Sequence, residues 1–204
     1  MKYILKILTL FLIPLCLSTA IICSVGTMTG NISDNVLRLH VVANSDTSYD
    51  QALKLKVRDR IIHDFSPIFS TSDNAESSAS LAYDHSYLMV KSAVDELRKN
   101  GCLYPVSIKI GQQKFPTKSY GNVRLPAGEY NAITLKIGGA SGQNWWCVMY
   151  PPLCLTNGVV EADQKTLDKL RNELTAEEFD LITKSKNPNI KFKFKIAEIL
   201  GKYF

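Results

Sequence analysis

Apolar and polar residues follow three patterns along this chain: an uncharged apolar block at the start, four-residue spacing in some segments, and strict alternation in others. The first block runs from Ile7 to Val25, interrupted by Pro14 and by Ser18-Thr19. Asn31 to Asn35 is polar and reads as a short linker. Val36 to Ala43 is a β-like run with Arg38 and His40 at alternating positions, which places both on one face of a strand. Asn44 to Ser48 reads as a turn and helix start, and Ser48 with Gln51 has the spacing of a capping box. The helix that follows carries Leu53, Val57, Ile61 and Phe65 on one stripe, with Lys54, Lys56, Arg58 and Asp59 off it. Pro67 ends or bends it, because proline lacks the N–H and crowds the preceding turn.

Ser66 to Ser80 is rich in Ser, Thr, Asp and Asn and predicts a surface loop. A second helix is predicted from about Leu81 to Lys99, with Ala82, Met89, Ala93 and Leu97 along a face and Asn100-Gly101 as its stop. Val106, Ile108 and Ile110 alternate with polar residues, as do Ile133, Leu135 and Ile137, so both segments predict half-buried strands. Gly138 to Gly142 predicts a flexible hairpin turn into a strand over Trp145 to Tyr150. One or two helices follow within Thr166 to Thr183, with Thr175 and Glu178 as a second capping box. Phe192, Phe194 and Ile196 alternate with Lys193 and Lys195 as a closing strand. Neighbouring strands in sequence favour an antiparallel sheet with helices packed on it, an α+β fold.

The basic start at Lys2 and Lys6, the apolar block and the small residues at Ser24-Val25-Gly26 together read as a secretory signal peptide. The block also approaches the roughly 20 apolar residues that span a bilayer, so an uncleaved N-terminal membrane anchor is the alternative. Either way the lysines hold that end in the cytoplasm and place the rest outside. The expected organisation is residues 1–26 as leader or anchor, 27–35 as linker, and 36–204 as one domain. Without the two leader lysines the formal charge falls from +5 to +3. That charge is spread along the chain and gives no nucleic-acid footprint.

Candidate chemistry is sparse. Cys102, Cys147 and Cys154 lie outside the leader. Cys147 and Cys154 flank Pro151-Pro152, a turn that brings them together, and an extracytoplasmic setting permits a disulfide. Metal binding is disfavoured, since no CxxC pair or nearby His completes a ligand set. The Gly138–Gly142 cluster lacks the ending of a phosphate loop and the spacing of a dinucleotide fingerprint, so no cofactor is implied. His40, Asp46 and Ser141 or Cys147 supply residue types for a hydrolytic site, though no nucleophile-elbow pattern surrounds Ser141. His63 and His85 read as surface groups. Arg38 and His40, with Asn44 and Asp46 just beyond, read either as a polar recognition patch or as a solvated face beside a helix cap. Trp145 and Trp146 face opposite sides of a strand, so both are covered only if both sheet faces are; an exposed indole is a common interface anchor.

Two long segments carry a family resemblance. Leu37-Arg38-Leu39-His40-Val41-Val42-Ala43-Asn44-Ser45-Asp46 with Gln51 to Asp59, and Asn144-Trp145-Trp146-Cys147-Val148-Met149-Tyr150-Pro151-Pro152-Leu153-Cys154, resemble the signatures of the stage II sporulation protein R family. Phe115-Pro116-Thr117-Lys118, Tyr120-Gly121, Leu125 to Tyr130 and Lys191 to Ile199 also match its pattern. Met149-Tyr150 departs from the family's Leu-Phe at that place, and Cys102 has no counterpart. The resemblance implies a sporulation signal exported from the forespore into the space between forespore and mother-cell membranes. There it triggers a membrane-embedded aspartic protease that cleaves pro-sigma factor E. It implies no catalytic residues and no enzyme activity, and its partner is the extracytoplasmic side of that protease. The residues expected at the partner surface are Arg38, His40, Asn44, Asp46, Trp145 and Trp146. The rival readings are a secreted cell-wall or peptide hydrolase and a membrane-anchored structural component of the septum.

Overall fold

All six residues of β1 (Leu37–Val42) are buried, Arg38 and His40 included. The strand earns that burial by sitting inside a four-stranded sheet in the computed structural model, which describes residues 3, 10–19, 32–154 and 162–184. The other strands of this sheet are β2 (Val106–Phe115), β5 (Gly128–Ile137) and β6 (Asn144–Tyr150), in the order β2-β5-β1-β6. A separate hairpin is made by β3 (Lys118–Tyr120) and β4 (Val123–Leu125). Residues 10–19 are helical, and the helices after β1 are α1 (Ser48–Ser70), α2 (Ala75–Asp84), α3 (Ser86–Lys99), α4 (Gln164–Glu173) and α5 (Ala176–Thr183).

The α+β class is the one the sequence predicts, but the sheet is mixed. β1 runs parallel to β5 and antiparallel to β6, while β2 and β5 pair antiparallel. The reason is topological: α1 to α3 and β2 intervene before β5 returns beside β1, and a long connection permits parallel pairing. One face of the sheet carries Leu37, Leu39 and Val41 level with Ile133, Leu135 and Cys147. Helices α1 to α3 cover it, α1 burying Leu53, Val57, Ile61, Phe65 and Phe69. Each such side chain contributes about 1.5–3 kcal/mol when fully buried. The opposite face carries Arg38, His40, Tyr130, Ala132 and Trp146, and the β3–β4 hairpin closes over it with Tyr120, Val123 and Leu125 buried. Helix α5 packs on β4 in turn.

Several local expectations shift. Thr47, not Ser48, caps α1, its side chain accepting from Asp50 N. α1 runs through Pro67 to Ser70 because Phe69 continues the apolar stripe into the core, and that packing outweighs the missing N–H. The polar stretch after it shrinks to a turn at Thr71–Asn74, since Asn74 and Ser77 form a capping box that starts α2. The break between α2 and α3 falls at His85. Thr175 and Glu178 form the expected capping box of α5. Gly101, at φ +70°, follows α3 as expected. Ile32, placed in the linker by sequence, is fully buried. The closing strand Phe192–Ile196 and the Ser24–Gly26 cleavage site lie outside the described residues. No helix among the described residues is long and apolar enough to cross a membrane.

The glycine-rich segment is not a hairpin. β5 and β6 are not neighbours, and the loop between them crosses over the end of β1. It wraps Asn44: Gly139 N donates to Asn44 Oδ1 at 2.8 Å, and Ser141 donates to Asn44 O from both its N (3.1 Å) and Oγ (2.7 Å). Gly142 N donates to Ala43 O at 3.0 Å. A Cβ at Gly142 would overlap the Ser45 carbonyl, and one at Gly138 (φ +56°) the Asn44 amide, so both positions require glycine.

Candidate partner-binding site

The site is the outer edge of β6, built from both faces of the sheet. On the hairpin face, Arg38 is fully buried and donates from Nη2 to Tyr120 Oη at 2.6 Å. Its guanidinium lies 4.0 Å from the Phe115 ring centre and 4.6 Å from that of Tyr130. Among the described residues Nε and Nη1 have no hydrogen-bond partner. Burial raises the Tyr120 phenol above its ordinary value, with Arg38 opposing, and pushes Tyr130 up to about 12. Arg38 is therefore a cation held by neutral aromatic groups. It fixes β3 against the sheet.

Beside it, His40 stacks on Trp146 with ring centres 3.9 Å apart, and Phe115 meets Trp146 edge-on at 4.7 Å. His40 Nε2 lies 2.8 Å from Asn144 Oδ1, so Nε2 carries the proton and donates. Burial lowers the His40 pKa, Lys136 pushes the same way, and the Asn144 bond opposes. The ring is neutral near pH 7.

On the helical face, Trp145 lies under the Arg58 guanidinium, 4.1 Å from ring centre to charge. Lys54 is buried, its Nζ donating to Gln51 Oε1 at 2.5 Å and to Gln143 O at 3.1 Å. Burial lowers its pKa, with Asp46 opposing. Asp50 accepts from Ser45 Oγ (2.5 Å) and Asn44 Nδ2 (2.7 Å), bonds that hold its carboxyl below the usual range. Asp46 Oδ1 accepts from Gln143 N at 2.6 Å and ties the start of β6 to the α1 entry.

These pieces frame a groove of about 480 Å³. Gln51, Lys54 and Leu55 form one wall and Lys118, Ser119 and Tyr120 the other, with Gln143 to Trp146 and Cys154 between them. Among the described residues that line it there is no carboxylate.

The expected partner residues thus divide. Trp145 and Trp146 are half-buried and line the groove, one toward each face; Asn44 and Asp46 hold its end; Arg38 and His40 lie beneath and shape it. Lys54, Lys118 and Tyr120 were not singled out from sequence. Lys54 sits off the apolar stripe and reads as solvated, yet the fold turns it inward to the β5–β6 loop.

Cys147 and Cys154 form the expected disulfide, with Cα atoms 6.0 Å apart, and Cys102 is a buried free thiol. The components of a hydrolytic site are engaged separately. Cys147 is bridged, Ser141 Oγ is bound to Asn44 O, Asp46 to Gln143 N, and His40 to Asn144.

A family profile described as stage II sporulation protein R matches residues 33–160, a span that includes every residue lining the groove. The stage II sporulation protein R of Bacillus subtilis (strain 168) is 34% identical over 155 residues, covering 71% of this chain and 69% of that protein. No solved structure matches.

Proposed function

This chain belongs to the stage II sporulation protein R family, and we propose on that premise that it is an exported sporulation signal acting by binding. Its receptor is the extracytoplasmic side of a membrane-embedded aspartic protease, which then processes pro-sigma factor E across the forespore/mother-cell septum. The observation that carries the reading is the family match over residues 33–160, within which lies a groove at a sheet edge with a lysine on each wall. The Cys147–Cys154 bridge suits an extracytoplasmic location. Activation by a ligand requires tighter binding to the active state of the receptor than to the inactive one. No bond in this chain needs to break.

The test is pro-sigma factor E processing, read by immunoblot, in a non-sporulating host that expresses protease and substrate. Processing should appear only when this chain is co-expressed with its leader. Processing independent of the chain, or its absence when the chain is demonstrably exported beside its cognate protease, refutes direct activation.

A further inference from the structure

We infer that the outer edge of β6 takes an extended, acidic segment of the partner as an added strand. The inference deepens the signalling proposal and rests on it only for which protein supplies the strand.

β6 ends the sheet order, so one of its edges has no strand beside it among the described residues. Backbone groups on a strand point alternately to its two edges. Val148 shows which residues face outward: its N–H reaches Cys154 Sγ at 3.3 Å, and its C=O accepts from Leu153 N at 3.4 Å. The disulfide-clamped turn therefore covers the edge at Val148. By the same alternation, the N–H and C=O of Asn144 and Trp146 face outward. Among the described residues nothing bonds the outward groups of Asn144 and Trp146. An uncovered edge of this kind is the template for strand addition.

The groove fits such an occupant on both sides. A strand laid along β6 projects its side chains alternately toward the α1 wall and the β3 wall. Each wall presents a lysine, Lys54 on one and Lys118 on the other; Asp46 acts on Lys54 from the groove's end, and among the described lining residues there is no carboxylate. The two indoles supply apolar floor on either side of the edge. The charge excludes two rival occupants. Residues 191–196 of this chain, if extended, would put Lys191, Lys193 and Lys195 on one side and so against one of the groove lysines. A second copy pairing edge to edge would oppose the same two lysines to themselves. An acidic strand meets complementary charge on both faces.

The test uses the full exported chain with its disulfide intact and ten-residue synthetic peptides. One has the repeat Val-Glu-Glu, a second has Val-Lys-Lys, and two are acidic peptides N-methylated at one or the other alternating set of amides. Binding is read by fluorescence anisotropy and edge protection by amide hydrogen exchange. The acidic peptide should bind at least about tenfold more tightly than the basic one, and one methylation set alone should abolish binding, as strand addition requires. The Asn144 and Trp146 amides should exchange freely in the unliganded chain and slow on binding. Lys118→Glu should abolish the charge preference, because Lys54 then faces a carboxylate of opposite sign across the groove. Equal binding of acidic and basic peptides, indifference to both methylation sets, or protection of β2 instead overturns the inference. So does protection of Asn144 and Trp146 before any peptide is added, because the edge would then be occupied by this chain itself. These arms need no protease, so a failed processing assay leaves them standing. Intact processing with failed peptide binding overturns this inference alone.

Discussion

Removing the Tyr120 hydroxyl tests whether Arg38 is held as the structure shows. Arg38 is fully buried, its closest acceptor is Tyr120 Oη at 2.6 Å, and its guanidinium lies against the Phe115 and Tyr130 rings. A hydrogen bond to a charged group contributes about 1.5–3 kcal/mol, and its loss leaves a desolvated cation. Tyr120→Phe should therefore cost about 2–3 kcal/mol, near the top of that range because Nε and Nη1 are already without partners. Arg38→Met should cost less. It gives up cation–π attraction of about 2 kcal/mol but removes the several kcal/mol spent in burying the charge. The double variant should lie close to Arg38→Met, so the cycle should show a coupling near 2 kcal/mol. Urea midpoints at pH 7, with the slope unchanged, are the measurement. If Arg38→Met is the worse single change, by about 3–5 kcal/mol, a carboxylate elsewhere pairs with Arg38 and the cage reading is refuted. Additive single changes refute it as well.

Three further outcomes are expected. Reducing the Cys147–Cys154 bridge, whose sequence separation is 7, should lower stability by roughly 2.5 kcal/mol in the chain-entropy model; an unchanged urea midpoint with thiol present would contradict this. His40 is held below its ordinary pKa, so the folded state disfavours its charged form. Its contribution is complete above about pH 6.5, the unfolded value, and is lost as pH falls through the lower folded one. A wild-type midpoint that drops on acidification should be flattened in that window by His40→Gln. Gly142→Ala should cost about 1–3 kcal/mol by overpacking against the Ser45 carbonyl; because that obstacle is backbone, adding Asn44→Ala should not restore it.

The sequence carries its local rules plainly and its long-range ones hardly at all. Alternation places Arg38 with His40 and sends Trp145 and Trp146 to opposite faces, and both hold because they depend only on the two-residue period of a strand. The stripe from Leu53 to Phe65 and the Thr175–Glu178 cap are local in the same sense. Pairing partners are not. The hairpin expected at Gly138–Gly142 fails because β1, more than ninety residues earlier, lies between the two strands it joins. Lys54 and Lys118 escape notice because each looks solvated on its own element, and only the packing of α1 and β3 around β6 makes them two walls of one groove. Pro67 misleads in the opposite direction, a strong local signal overridden by the burial of Phe69.

The buried polar residues of the first signature segment gain a common purpose from their partners. Arg38 reaches Tyr120, 82 positions away; His40 reaches Asn144 at 104; Asn44 reaches Gly139 at 95; Lys54 reaches Gln143 at 89. Every one of these bonds ends on a wall, the floor or the rim of the β6 groove, and none is needed merely to fill a core that apolar side chains could fill. Buried polar groups cost stability unless satisfied, so a chain that retains Arg38, His40 and Lys54 buried along one strand–helix unit is spending stability on geometry. Their effect on a partner is then indirect. A substitution at Arg38 or Asn44 should change binding by displacing Tyr120 or the β5–β6 loop, whereas one at Lys118 changes it by altering the charge a ligand meets. The two classes separate experimentally: salt should weaken binding to the wild type and to an Arg38→Met chain by the same factor, and that effect should shrink when Lys118 is replaced by Ala.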